Sequence, residues 1–269
     1  MRLKRKIRVF LMMGAAVLGT GMILYPDVSD RYNSLHQSKV IAGYEKAVHE
    51  TDSETCRRLY EQAQAYNRQI AVHGIEWEHT PEETEEYLQT YDLTGTGMMG
   101  YLKIAEIHVS LPVCHSAEEA VLQVAVGHIE GSSLPVGGES THCLLSGHTG
   151  LPERKLFTDL DRLETGDTFQ IVTLGRTLTY EVDDIRTVLP WELESLVIEE
   201  GKDLCTLITC TPYGINTHRL LVRGHRITTA EEQVLTEDIR KEEEKSISCA
   251  YPAASAVLIC MYLLVRKQK

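Results

Sequence analysis

Residues Thr206–Arg226 read TLITCTPYGINTHRLLVRGHR. Thr206 to Cys210 alternates in residue type, as a half-buried strand does, and puts Thr206, Ile208 and Cys210 on one face. Pro212-Tyr213-Gly214 is turn chemistry. The chain then returns through a second apolar run that opens at Arg219. The stretch therefore predicts two strands joined by a short turn, with a cysteine at the end of the first and an arginine at the start of the second. Loops just beyond strand ends are where scaffolds hold chemically active groups. A buried structural cysteine is the competing reading, and partner residues decide between the two.

A cysteine nucleophile works as thiolate and needs a proton-transfer partner, usually histidine. Of eleven histidines, His148 stands out, because it closes the apolar run CLLSGH and opens into Thr149-Gly150-Leu151-Pro152. That is a second strand end leading into a turn. His142, His218 and His225 lie within or beside strand runs and have weaker claims. Arg219 stays charged and offers a fork of donors suited to an oxyanion, although an external acidic partner for it is equally open on spacing alone. His142, Cys143 and His148 fit no common metal-ligand spacing, so no metal is expected.

Charge narrows the setting. Arg2, Lys4, Arg5, Lys6 and Arg8 crowd the first eight residues, and Arg266, Lys267 and Lys269 the last four. Without those eight, 19 of the 27 bases remain against 39 acids. An acidic body of this kind argues against nucleic-acid binding. Beside each basic cluster lies an uncharged run, VFLMMGAAVLGTGMILY at 9–25 and SISCAYPAASAVLICMYLLV at 246–265. A membrane-spanning helix needs about 20 apolar residues. The second run is long enough; the first is marginal and reads as a transmembrane helix or signal anchor, with a cleaved signal peptide as the alternative. Both basic tails then lie in the cytoplasm and the acidic middle outside the cell. Of seven cysteines, Cys249 and Cys260 fall in the second run. The other five are odd in number and irregularly spaced, which points to a free reactive thiol and not to a disulfide framework.

The chain divides accordingly. Residues 1–8 form a basic tail, 9–25 the first membrane segment, and 26–97 a helical region with a candidate lid segment. Residues 29–72 show two helical stripes, with Thr51 and Glu54 as a capping box between them. Residues 73–97 read as an acidic, turn-rich loop. From Met98 the pattern turns to strands: YLKIAEIHVSLPV, THCLLSGH, DTFQIVTLG, RTLTYEVDDIRTVLP, DLCTLITC and HRLLVRGHRI. One helix interrupts them at 116–129, capped by Ser116 with Glu119 three residues on. Many strands and few helices predict a barrel or sandwich with helical insertions over 98–228. A charged tether follows at 229–245, then the second membrane segment at 246–265 and a basic tail at 266–269.

TLITC followed by Arg219 resembles the sortase signature TLxTC…R, and LLSGHTG resembles the sortase histidine strand. GHIEGSSLPVGGESTHCLLSGHTGLP, KLFTDLDRL and TCTPYGINTHRLLVRGHR look like class C, the pilus-assembling sortases. The resemblance implies a mainly β fold, an eight-stranded barrel with N-terminal helices and helical insertions plus terminal transmembrane helices. It implies a transpeptidation without cofactor in which Cys210 is the nucleophile, His148 the acid and base, and Arg219 the oxyanion and substrate arginine. Thr209 and Ser146 are substrate-binding candidates. The implied partners are pilins with LPxTG-like sorting signals and the membrane. The implied location is the cell membrane, with the catalytic domain on the extracellular face. A sortase that attaches proteins to peptidoglycan, and an inactive pilin-binding module, are the competing readings. Class C lids carry an Asp-Pro-aromatic motif that this sequence lacks. Trp77 is the lid candidate in its place.

Overall fold

The computed structural model describes residues 2–151 and 154–227. Helix α1 (Arg2–Glu50) runs unbroken through the first uncharged segment, with Pro26 inside it. It is followed by α2 (Ser53–His73) and α3 (Pro81–Gln89). Eight strands come next: β1 (Met98–Ile104), β2 (Val109–His115), β3 (Val126–His128), β4 (Thr141–Ser146), β5 (Thr168–Thr173), β6 (Arg176–Val188), β7 (Asp203–Thr211) and β8 (His218–Arg226). A single turn of helix, α4 (Glu119–Leu122), sits between β2 and β3. The strands close into a barrel in the order β1-β2-β3-β4-β7-β8-β6-β5.

Alternation along each strand sorts its side chains into two layers. On β7, Cys205 and Leu207 point into the barrel, where they pack with Leu145 of β4, Phe169 of β5 and Val222 of β8. Leu204, Thr206 and Ile208 lie on the other face, and Ile208 joins Leu144, Leu196 and Leu221 in a smaller apolar cluster outside the barrel wall. The helices cover β1 in the same way. Tyr44 of α1 packs on Met98 and Tyr101 and donates its hydroxyl to the Met99 carbonyl at 2.9 Å. Leu59 and Ala63 of α2 meet Tyr87, Tyr91 and Met99. Asn67 clamps Leu134, donating to its carbonyl at 3.1 Å and accepting from its N–H at 2.7 Å.

Four local expectations change. The run YLKIAEIHVSLPV forms two strands, because His108 takes a left-handed φ of 53° and its N–H closes a turn onto Ala105. The loop expected at 73–97 contains α3, started by Thr80 and Glu83 in a reciprocal capping box. The helix α2 is capped by Asp52, not Thr51: Asp52 accepts from the Thr55 N–H at 2.9 Å, while the Thr51 hydroxyl donates back to Ala47 at 2.7 Å. The helix expected at 116–129 shrinks to α4, and its last residues become β3. Ser116 holds a φ of 69°, outside the helical region. The apolar run VAVGHI satisfies either period, and pairing between β2 and β4 decides for strand.

No helix among the described residues is long and apolar enough to cross a membrane. In the first uncharged segment Leu18, Met22, Leu24 and Tyr25 are exposed on α1. The second, 246–265, the tether and the last tail lie outside the described residues.

Candidate active site

Strands β4 and β7 run parallel, with Ser146 opposite Ile208. The ladder continues one step further, the Gly147 N–H donating to the Ile208 carbonyl at 3.0 Å. The Thr209 hydroxyl adds a bond to the Gly147 carbonyl at 2.7 Å. His148 and Cys210 therefore leave the ends of neighbouring strands side by side, about 5 Å apart in the pairing direction. On the other side of β7, Cys210 is the direct antiparallel partner of Arg219. Since Ser146, Ile208 and Leu221 mark the outer face in the same register, Cys210, His148 and Arg219 meet on the outer face at one end of three adjacent strands. The two-strand reading of Thr206–Arg226 and its strand-end histidine come together here.

Two loops hold that mouth. The 148–157 loop is closed by the Phe157 N–H donating to the His148 carbonyl at 3.0 Å. Gly150 has a φ of 78°, and a Cβ there would come within 3.2 Å of the Tyr213 ring. A side chain at Gly150 would push the cysteine loop away from the histidine loop. The helix α1 reaches the same region, where the Asp30 carboxylate accepts from the Lys155 N–H at 2.8 Å.

Cys210 is half-buried. The Arg219 guanidinium donates through Nη1 to the carbonyls of Asn216 (3.3 Å) and His218 (3.1 Å). Among the described residues its Nε and Nη2 donors have no hydrogen-bond partner, which leaves them for an incoming oxygen. His148 has 24% of its side chain exposed, and its Nε2 faces both carboxylate oxygens of Glu119, at 3.3 and 3.2 Å. Glu119 was assigned a capping role by the sequence pattern, and its place beside His148 has no local signal.

The other candidates fall elsewhere. Thr209 is buried and its hydroxyl is committed to Gly147, so it ties β4 to β7. Ser146 lies on the mouth-side end of β4. His142 is fully buried on the outer face of β4, between the Val197 carbonyl and the Thr206 hydroxyl, each at 2.7 Å. Burial pushes its imidazole below the usual range, which favours the neutral ring. His142 and Cys143, adjacent on β4, face opposite layers and cannot share a ligand. His225 sits opposite Leu204, at the far end of the strands. His218 is opposite Thr211 at the mouth, with Nδ1 2.9 Å from the Thr217 hydroxyl. Trp77 is exposed. It lines a cavity of about 710 Å³ with Ser140, Leu196 and Val197, and Ser140 immediately precedes the end of β4 that pairs with Asp203. None of Cys210, His148 and Arg219 lines that cavity.

Comparison with known proteins assigns the chain to a family. The Sortase domain family model matches residues 102–227. The crystal structure of sortase C1 from Streptococcus agalactiae is 48% identical, with a TM-score of 0.69, and the match covers 71% of this chain and 99% of that one. A Streptococcus pneumoniae sortase C structure, described as informative on catalysis and pilin substrate specificity, is 38% identical with a TM-score of 0.64, over 71% and 97%. Sortase A of Streptococcus agalactiae serotype III (strain NEM316) is 26% identical over 151 residues, so the matched stretch spans 60% of that curated relative and 55% of this chain. The closed eight-stranded barrel is shared with these structures. The chain belongs to the sortase family, and these two solved structures are class C sortases. 

Proposed function

We propose that this chain is a membrane-anchored cysteine transpeptidase that joins pilin subunits. The observation that carries the reading is the register: His148, Cys210 and Arg219 end up on one face at the ends of β4, β7 and β8. The Cys210 thiolate attacks the threonine carbonyl of an LPxTG-like sorting signal. The negative charge that develops on the carbonyl oxygen is met by the spare donors of Arg219. As the Thr–Gly bond breaks, the departing glycine amine takes a proton from His148. A thioester on Cys210 remains and conserves the energy of the cleaved amide. The lysine ε-amine of the next pilin attacks it, His148 accepts the amine proton, and an isopeptide bond forms as the thiolate leaves.

Anchoring is supported by the two basic-flanked uncharged runs and by the exposed apolar side chains of α1. The acidic body then faces the outside of the cell. Pilin as substrate is supported by the likeness to class C structures.

The test is incubation of the full chain in detergent with a pilin bearing an LPxTG-like tail. A ladder of covalent multimers, with a trapped adduct on Cys210, is expected. Cleavage with exchange onto a glycine amine and no ladder would favour a wall-anchoring sortase. Failure to form any adduct with Cys210 would leave only a binding module.

A further inference from the structure

The reaction asks more of His148 than being close to sulfur. Its ring has two different nitrogens, and only the one without a proton can accept one. In the structure Nε2 lies against the Glu119 carboxylate, at 3.3 and 3.2 Å from its two oxygens. Among the described residues Nδ1 has no hydrogen-bond partner. A carboxylate is acceptor-only when ionised, so a neutral ring in this contact must carry its proton on Nε2. Nδ1 is then the basic nitrogen.

The placement of Glu119 is built into the fold. Strand β3 is next to β4, with Gly127 opposite Ser146. The chain at 116–122 lies directly on Gly127: a Cβ there would be 2.4 Å from the Ser116 carbonyl oxygen and 3.0 Å from Leu122. The segment is also anchored from α3, where the Tyr87 hydroxyl accepts from the Ser116 N–H at 3.2 Å and lies 2.8 Å from His128 Nδ1. Tyr87 is 3% exposed and packs edge-on against His115. The carboxylate is itself steered by Gln123, which donates to Oε1. Its ionised form is favoured first by that bond and then by His148, which together hold it below the usual carboxylate range.

We propose that Glu119 is a positioning residue for the transpeptidation proposed above. It fixes the orientation of the His148 ring and its Nε2–H tautomer, so that Nδ1 exchanges protons with the Cys210 thiol and the substrate amines. The inference rests on the transpeptidase reading for its kinetic consequence, but not for the tautomer. The Glu119 side chain is 70% exposed, so the expected effect on rate is modest, about two- to fivefold.

The experiment uses the full chain in detergent, labelled with 15N-histidine, at a pH where the ring is neutral. The His148 ring signals are identified by their loss in His148→Ala. The parent should show the Nε2–H tautomer. Glu119→Ala should shift the population toward Nδ1–H and lower the single-turnover rate of thioester formation about two- to fivefold with unchanged KM. Glu119→Gln keeps an acceptor oxygen and should retain more of both the tautomer and the rate. Identical tautomer populations in the parent and Glu119→Ala would overturn the proposal, whatever the rates. If the parent forms no thioester on Cys210, the transpeptidase reading fails instead, and the ring signals still decide the role of Glu119.

Discussion

At its first residue β7 places Asp203, 15% exposed, among partners: the Gly138 N–H at 2.9 Å, the Tyr180 hydroxyl at 3.0 Å, the Thr141 hydroxyl at 3.3 Å and the Arg226 guanidinium at 3.8 Å. At its other end the same strand places Cys210, half-buried, beside an arginine with spare donors and a histidine held by one carboxylate. One end has its polar groups mutually satisfied and is stitched to four other segments. The other leaves donors and a thiol for a visitor. The two cysteines of the strand repeat the contrast. Cys205 points into the core opposite Cys143, and burial pushes its thiol well above the usual range, whereas Cys210 stands at the mouth. A barrel wall can thus be rigid and reactive at once, because stability and chemistry are assigned to opposite ends of the same hydrogen-bonded ladder.

The comparison breaks most sharply at the mouth. Cys210→Ala should abolish thioester formation while leaving the thermal transition in place. Arg219→Ala should lower kcat by about 10²–10³ if its donors meet the oxyanion. Both are read by single-turnover assays alongside circular dichroism. Thiol labelling followed by mass spectrometry sharpens the same contrast. Cys210 should alkylate in the folded protein, while Cys143 and Cys205 should react only on unfolding. Since Cys210 does not line the cavity that Trp77 borders, Trp77→Ala should leave the labelling rate of Cys210 unchanged. A rise would mean that Trp77 visits the mouth.

At the closed end, Asp203→Ala strips a buried acceptor from several donors and should cost about 3 kcal/mol in denaturant unfolding, with the labelling of Cys210 intact. Gly127→Ala should cost about 2 kcal/mol through overpacking. By moving the Glu119 segment it should also bring the thioester rate down to that of Glu119→Ala. The smallest effect is a pH slope. Burial, the largest cause, holds the Asp203 carboxyl above its ordinary 3.8. The folded chain therefore binds this proton more tightly than the unfolded chain. Its favourable contribution is complete below 3.8 and is lost as pH rises through the folded value. Asp203→Asn should remove that loss, so that its melting temperature climbs more steeply with pH from about 4 upward than the parent's does. Parallel profiles would show that this carboxyl is not shifted.

How legible each part was follows from the range of its contacts. The strands from β4 to β8, the turn after Cys210 and the pairing of Cys210 with Arg219 were readable, because a short turn fixes which residues of the flanking strands face each other. His148 was readable as a strand end, although its side-by-side placement with Cys210 depends on a parallel pairing that no local pattern announces. The strand β3 and helix α4 were misread as one helix, and α3 as loop. Three residues of β3 have no periodicity of their own and exist as a strand because β2 and β4 flank them. Thr80 and Glu83 did announce α3, but the acidic composition of the segment outweighed them.

The sequence by itself determined which groups could react: a cysteine and an arginine at the two ends of one turn, and a histidine at another strand end. These are properties of neighbouring residues, where alternation and turn chemistry act over a few positions. Only the tertiary structure decided that Glu119 lies against His148, that the Thr209 hydroxyl and the His142 ring are committed to the framework, and that Trp77 lines a cavity that Cys210 does not. Those assignments depend on which strand lies beside which, and barrel closure sets that through burial and hydrogen bonding between segments distant in the chain.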